Sequence, residues 1–339
     1  MQVVIPLAGK GTRLRPHTHL VPKPMLKVAG RPVMDWVMDR LEGLQISELI
    51  FITGHLKEQV EQYARSRYRY PSRFIEQKVQ DGTAGAVNLA RPYVHEPVLV
   101  IFVDTVFEAD LTLINRTQAD GIIWAKEVED YQRFGVVVTD KDGYMTKIVE
   151  KPSTPISKLA NIGLYYIRDT AALWAGIDHV LTSPANKGEF YLTDAFQHMI
   201  DHGRRILTAE VGGWYDCGKL DTLLETNEIL LRKGHSRRRE FPGVTIHDPV
   251  LIEDGVTVEK SVIGPNVTLE TGTRVVNSRL EHTLVGAQST ISDSHLHHSM
   301  LGDRVNVRGL KGVATLGDDS EVVATCDLRR ETEDVRRQM

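Results

Sequence analysis

Cysteine is nearly missing from this sequence, with only Cys217 and Cys326 among 339 residues. That scarcity excludes a disulfide framework and a cysteine-rich zinc site, and it fits a reducing cytoplasm. Long apolar runs are missing too. None approaches the ~18 residues that a membrane span requires. The opening run Gln2-Val3-Val4-Ile5-Pro6-Leu7 has no basic region ahead of it and leads into a Gly-rich loop, so it reads as a first strand rather than a secretion signal. Basic charge is not in excess: 41 Lys and Arg stand against 45 Asp and Glu, which speaks against a nucleic-acid partner. Basic residues do cluster locally, in the first loop and at Arg237-Arg238-Arg239, as an acidic protein with a phosphate-binding cleft would arrange them.

What remains is a globular composition spread over a chain long enough for two cores. Short apolar runs alternate with amphipathic stretches in roughly the first 230 residues. Val3–Leu7, Glu48–Thr53, Val98–Val103 and Gly121–Ala125 predict buried strands, and Pro32–Leu44, Leu56–Ser66 and Ala84–Arg91 predict helices between them. This alternation predicts a mixed, mainly parallel α/β sheet with helices on both faces, and ligands are expected beyond the carboxyl ends of its strands. From about residue 250 helical periodicity stops. Ser261-Val262-Ile263-Gly264, Thr283-Leu284-Val285-Gly286 and Ser299-Met300-Leu301-Gly302 each end in a large apolar residue and Gly. Steps of six link Ile263, Leu269 and Val275, then Val285 and Ile291, then Leu301 and Val307. Such steps predict a hexapeptide-type, left-handed parallel β-helix of three or four coils. The expected domains are 1–233, a linker over 234–248, a β-helix over 249–327 and a charged tail over 328–339.

The segment Leu7-Ala8-Gly9-Lys10-Gly11-Thr12-Arg13-Leu14-Arg15-Pro16 leads on to Pro22-Lys23-Pro24-Met25. A Gly-rich loop after a first strand lets backbone N–H groups approach phosphate oxygens, with Arg13 able to fork onto phosphate and Lys23 supplying a compact charge. It is not the dinucleotide-binding fingerprint, which needs a third Gly, nor a Walker loop, which closes on Gly-Lys-Ser/Thr.

The whole segment resembles the signature of the sugar nucleotidyltransferases, the pyrophosphorylases that make nucleotide sugars. Further blocks of that family follow in order. Gln77 with Asp81-Gly82-Thr83-Ala84-Gly85 is similar to the base-recognition block, in which the glutamine meets a pyrimidine edge. Val100-Ile101-Phe102-Val103-Asp104 and Trp214-Tyr215-Asp216-Cys217-Gly218 resemble the blocks that present two metal-binding aspartates, although Val103 and Lys219 stand where the family commonly has Gly and Thr. Phe134-Gly135, Glu150-Lys151-Pro152, Asn161-Ile162-Gly163 and Glu189 to Asp194 resemble the sugar-phosphate blocks; Thr193-Asp194 reads equally well as a helix start.

The resemblance implies a nucleotidyltransferase. Leu7, Ala8, Gly9, Gly11, Thr12, Gln77 and Gly82 would hold the nucleotide, and Gly135, Glu150, Lys151 and Gly163 the sugar phosphate. Asp104 and Asp216 would hold Mg²⁺, and Arg13, Lys23 and Lys151 would carry the phosphate charges. The implied substrates are dTTP or UTP and glucose 1-phosphate. A GDP-mannose or UDP-amino-sugar pyrophosphorylase is the alternative among enzymes, and a nucleotide-sugar-binding regulatory paralogue is the alternative outside them. His295, His297 and His298 fall in the β-helix and are expected as exposed coil positions. The open ends and flat faces of a short β-helix favour a homo-oligomer.

Overall fold

The computed structural model describes residues 1–186 and 188–324. The chain divides into two compact units. The first comprises Met1–Gly11, Val21–Leu26 and Pro32–Gly218, and the second comprises Thr12–Leu20, Lys27–Arg31 and the chain from Lys219 on. No helix among the described residues is long and apolar enough to cross a membrane.

The first unit is built on strands β1 (Gln2–Pro6), β2 (Glu48–Thr53), β3 (Ser72–Glu76), β4 (Val98–Ile101), β5 (Thr105–Glu108), β6 (Gly121–Glu127), β7 (Gly135–Thr139), β8 (Met145–Glu150), β9 (Leu159–Ile167), β10 (Ile206–Glu210) and β11 (Gly213–Asp216). Its helices are α1 (Val33–Met38), α2 (Lys57–Arg67), α3 (Thr83–Asn88), α4 (Thr170–Thr182) and α5 (Leu192–Asp201). Nine strands form one sheet in the order β8-β7-β9-β4-β1-β2-β3, with β6 against β9 and β10 outside β6. The parallel block β3-β2-β1-β4 carries the opening strand at its centre. Strand β9 runs against β4, β6 and β7, and β8 runs against β7, so only β8 and β9 oppose the common direction. The expected mixed, mainly parallel sheet is present.

Burial explains why these strands are solid apolar runs rather than alternating ones. Val4, Ile50, Ile52, Val98 and Val100 pack into a core with Val87 of α3, Ile177 of α4 and Phe196 of α5. The residues between them, Val3, Ile5, Leu49, Phe51 and Leu99, are equally inaccessible on the other face. A strand buried on both faces has no polar side to alternate with.

The expected elements differ from the observed ones mainly at their ends. The first helix stops at Met38 and tightens to a 3-10 turn at Asp39–Leu41 before Gly43, whose φ is 85°. Helix α3 stops at Asn88, and Pro92 then sits in a 3-10 turn, Arg91–Tyr93, because it has no N–H to extend a helix. Strand β4 ends at Ile101, which frees Phe102 and Val103 to line the cleft described below.

The second unit contains helix α6 (Leu220–Leu230) and a parallel β-helix. Three ladders run through its interior. Ile246, Ile263, Leu280 and Leu296 stack in register, ending on Gly312. Ile252, Leu269, Val285, Leu301 and Leu316 form the second ladder, and Val258, Val275, Ile291, Val307 and Val322 the third. The ladders therefore give five coils where the steps in sequence suggest three or four. The first coil escapes notice because His247 stands where the next coil has Gly264, and the last because Gly312 replaces the large apolar residue of the first ladder. Ser261, Ser278 and Ser294 stack at one turn, and each hydroxyl accepts the N–H of the coil above at 3.0–3.1 Å. That satisfies backbone donors the ladders do not reach. His298 sits at a left-handed corner and its ring stacks on His282; His295 and His298 are exposed and His297 partly so. The charged tail expected after Leu328, like Cys326, lies outside the described residues.

Ile291 has no exposed surface at the middle of the third ladder. We expect Ile291→Ala to lower unfolding free energy by about 2–5 kcal/mol through lost transfer and a cavity. Exposed His295→Ala should change it by less than about 0.5 kcal/mol. Urea titrations of the two variants check this.

Candidate active site

Three strands of the parallel block deliver their carboxyl-end loops to one cleft of the first unit. Pro6–Gly9 leaves β1, Gln77 follows β3 and Phe102–Asp104 follows β4. The cleft has a volume of about 300 Å³, and its wall includes Leu7, Ala8, Gly9, Lys23, Gln77, Gly82 and Asp104. Gly9 has nothing within 4 Å of where a Cβ would stand, so its backbone lies bare to an incoming group. Gly82 has a φ of 121°, and a Cβ there would fall 2.6 Å from the backbone nitrogen of Phe190. Only glycine serves at that position. It lets the segment at 81–84 be stitched to the one at 190–192: Phe190 N–H donates to Asp81 O at 2.8 Å, Ala84 N–H to Phe190 O at 2.9 Å, and Leu192 N–H to the Thr83 hydroxyl at 2.8 Å.

Gln77 is buried in this wall. Its Nε2 donates to Asp81 Oδ1 at 3.1 Å and more weakly to Gly82 O at 3.5 Å, which directs Oε1 to serve as the acceptor for a ligand. Gln80 donates to Ala8 O at 2.7 Å and lines the same cleft. Sequence reasoning passed over Gln80, although it lies between the two residues of the block it did select. Val103, in the place of the family's Gly, is buried with its side chain in the cleft wall.

Lys23 and Asp104 face each other across the cleft wall, with Nζ 3.4 Å from Oδ2. That is long for an ion pair, and the Asp104 carboxylate is 48% exposed. Strands β5 and β11 pair antiparallel with Thr105 opposite Asp216, and Cys217 N–H donates to Asp104 O at 2.9 Å. The backbones of the two aspartates are thus joined. Asp216 Oδ1 accepts the Gly218 N–H at 2.7 Å, and Oδ2 lies 3.5 Å from the Arg133 guanidinium. Arg133 was not selected in sequence; its signal was adjacency to Phe134-Gly135. Among the described residues no cluster of three or more His, Cys, Asp or Glu could hold an ion unaided. Two carboxylates on joined strand ends fit Mg²⁺ all the same, because this ion keeps waters and shares its shell with substrate phosphates.

The second set of sequence-selected residues gathers around Glu150. The Thr193 hydroxyl donates to its Oε2 at 3.1 Å, and Lys151 Nζ stands 3.8 Å from Oε1. Thr193 therefore serves Glu150 rather than capping α5, whose N-cap is Tyr191 without a side-chain bond. Burial pushes the Glu150 carboxyl above its ordinary range, against the pull of Lys151 and Thr193. Gly135 passes so close that a Cβ would lie 2.8 Å from Glu150 Oε2, and Asn161 Nδ2 donates to Gly135 O at 2.8 Å. Gly163 O accepts the Phe102 N–H at 2.9 Å, which ties this group to the cleft. Lys151 Nζ lies 4.8 Å over the ring of Tyr191, a residue at which sequence reasoning named the block but not the contact. Glu189 lines both the cleft and an adjoining hollow that Glu150 also lines.

Gly11 ends the opening segment of the first unit at a φ of 60°. Thr12 and Arg13 lie exposed on the 3-10 turn Thr12–Leu14 of the second unit. Lys219 is the N-cap of α6 and makes no side-chain cap bond, which a threonine there could supply.

Residues 2–233 match the family described as nucleotidyl transferase. The bifunctional protein GlmU of Methanococcus aeolicus is 29% identical over 99% of this chain and 86% of its own length. The glucose-1-phosphate thymidylyltransferase of Streptomyces antibioticus is 29% identical over 91% of this chain and 85% of its own length. A crystal structure of a UDP-glucose pyrophosphorylase complexed with UDP-glucose superposes with a TM-score of 0.61, covering 68% of this chain and 98% of that one at 24% identity, a likeness of fold.

Proposed function

The chain belongs to the nucleotidyl transferase family, and we propose that within it this sugar nucleotidyltransferase joins dTTP or UTP to glucose 1-phosphate and releases pyrophosphate. The observation that carries the base preference is Gln77. With Nε2 engaged by Asp81 and Gly82, its Oε1 is set to accept from a donor, and a uracil or thymine ring offers N3–H. The likeness to the Streptomyces antibioticus glucose-1-phosphate thymidylyltransferase supports glucose 1-phosphate as partner.

In the reaction, an oxygen of the sugar phosphate forms a bond to the α-phosphorus. The bond from that phosphorus to the bridging oxygen breaks, and pyrophosphate leaves with the electron pair. The nucleophile is already an anion, so no base is required and the work is positional and electrostatic. Lys23 offsets charge on the α-phosphate, Arg13 on the leaving pyrophosphate and Lys151 on the sugar phosphate. Glu150 accepts from sugar hydroxyls, in a pocket whose burial makes those bonds replace bulk water. Asp104 and Asp216 would hold Mg²⁺, which would supply further positive charge to offset the negative charge of the phosphates. A cytoplasmic homo-oligomer with contacts through the β-helix completes the reading.

A matrix of five triphosphates against glucose, galactose, mannose and N-acetylglucosamine 1-phosphates, with magnesium, tests it. We expect kcat/KM for dTTP or UTP to exceed that for GTP by at least about tenfold, because a site that bonds one base edge leaves its own groups unpaired with another. GTP as the best substrate, or mannose 1-phosphate as the best acceptor, refutes the assignment.

A further inference from the structure

Lys151 leaves the end of β8 in a conformation that a lysine rarely adopts. Its φ is 45°, in the left-handed region, and its N–H donates to Phe134 O at 3.0 Å. The side chain meets Tyr191 of the same unit: Nζ lies 4.8 Å over the ring centroid and donates to the hydroxyl oxygen at 3.4 Å. Tyr191 is only 6% exposed. Its neighbours in the chain pin it from both sides, Phe190 through Asp81 O and Ala84 N–H and Leu192 through the Thr83 hydroxyl. The ring is therefore a fixed platform, whereas the lysine stem is flexible. Burial holds the Tyr191 hydroxyl above its ordinary pKa, so it stays protonated; it is hydrogen-bonded to the Glu189 carboxylate and accepts from Lys151.

The other partners within reach of Lys151 are carboxylates. Glu150 Oε1 is 3.8 Å from its Nζ, and Glu189 is bonded to the same hydroxyl. A lysine that closes on a carboxylate has its charge compensated there and must break the pair to meet a phosphate. An aromatic face and a neutral hydroxyl hold an ammonium group in place without compensating it. We propose that Tyr191 is a positioning residue for the sugar phosphate: its ring and hydroxyl hold Lys151 Nζ off Glu150 and Glu189, so that the charge is met by the phosphate of the incoming sugar. This rests on the reading of the preceding subsection, which gives that phosphate to Lys151. The Lys23–Asp104 pair is not among the contacts of Tyr191, so the effect falls on one substrate and not on the other.

The test compares Tyr191→Leu, which removes ring and hydroxyl, with Tyr191→Phe, which keeps the ring, in the full chain. Pyrophosphate release is measured with each substrate varied, and thermal midpoints alongside. Tyr191→Leu should raise KM for glucose 1-phosphate by about tenfold, with kcat and KM for UTP changed by less than about twofold. Tyr191→Phe should recover most of that loss. A double-mutant cycle separates positioning from a merely structural role: in the Lys151→Met chain, Tyr191→Leu should add less than about twofold to KM for glucose 1-phosphate. Losses that multiply in the double variant overturn the proposal, as does a lowered thermal midpoint with KM unchanged. If Tyr191→Leu does not fold, replacement of Tyr191 by pentafluorophenylalanine keeps the bulk of the ring and removes its negative face, and it must raise KM for glucose 1-phosphate above that of Tyr191→Phe. An unchanged KM in Lys151→Met overturns the assignment of the phosphate and the role of Tyr191 with it. A raised KM in Lys151→Met beside a wild-type KM in Tyr191→Leu overturns the role of Tyr191 alone.

Discussion

Replacing Asp104 or Asp216 by asparagine should lower turnover at least about a hundredfold, which is what one group aimed at developing charge is commonly worth. Asparagine keeps the shape and one oxygen of each side chain but not the charge. The backbone link from Cys217 N–H to Asp104 O does not involve either side chain and survives in both variants. Turnover is followed by pyrophosphate release at saturating substrates, with thermal midpoints as the control for folding. Activity should likewise disappear with excess chelator and return with magnesium. Full activity in chelator would remove the metal from the mechanism, and with it the roles of both aspartates.

Arg13→Ala should depress kcat by about a hundredfold to a thousandfold with little change in KM for the sugar phosphate, because its charge is assigned to the leaving pyrophosphate, where it grows in the transition state. Lys151→Ala should instead raise KM for the sugar phosphate by about ten- to hundredfold, the worth of one charge-assisted hydrogen bond, with a smaller effect on kcat. The contrast has a structural motive. Lys151 stands with Glu150, Thr193 and Tyr191 in the group that also holds Gly135, whereas Lys23 stands with Asp104 in the other. Steady-state kinetics with each substrate varied decides the matter. The opposite pattern in the two variants would show that the phosphates have been assigned the wrong way round.

Much of the fold was legible because its signals are local. A strand buried on both faces must be apolar throughout, and Glu48–Thr53 announces itself at both ends. The inner ladders of the β-helix recur every six residues, so Ile263, Leu269 and Val275 point to one another. The first coil keeps the step at Ile246, Ile252 and Val258 but has His247 where the next coil has its marker Gly264, and the last coil has Gly312 in place of a large apolar residue. The candidate site was legible as blocks but not as contacts. Nothing near Gln77 in sequence says that its amide is oriented by Asp81 and Gly82, and nothing near Asp216 says that Arg133 approaches it. Least legible was the fastening of Ala29 by Asn227, two residues that are almost two hundred positions apart and unremarkable in type. Long-range hydrogen bonds of this sort leave no periodic trace in a single sequence.

The central claim is that the sugar phosphate attacks the α-phosphorus of the triphosphate. Two parallel reactions with glucose 1-phosphate and magnesium test it, one with the isotope on the α-phosphate of UTP and one with it on the γ-phosphate. We expect the α-label in UDP-glucose and the γ-label in pyrophosphate. Recovery of the γ-label on the sugar, or release of orthophosphate without a sugar nucleotide, would contradict it.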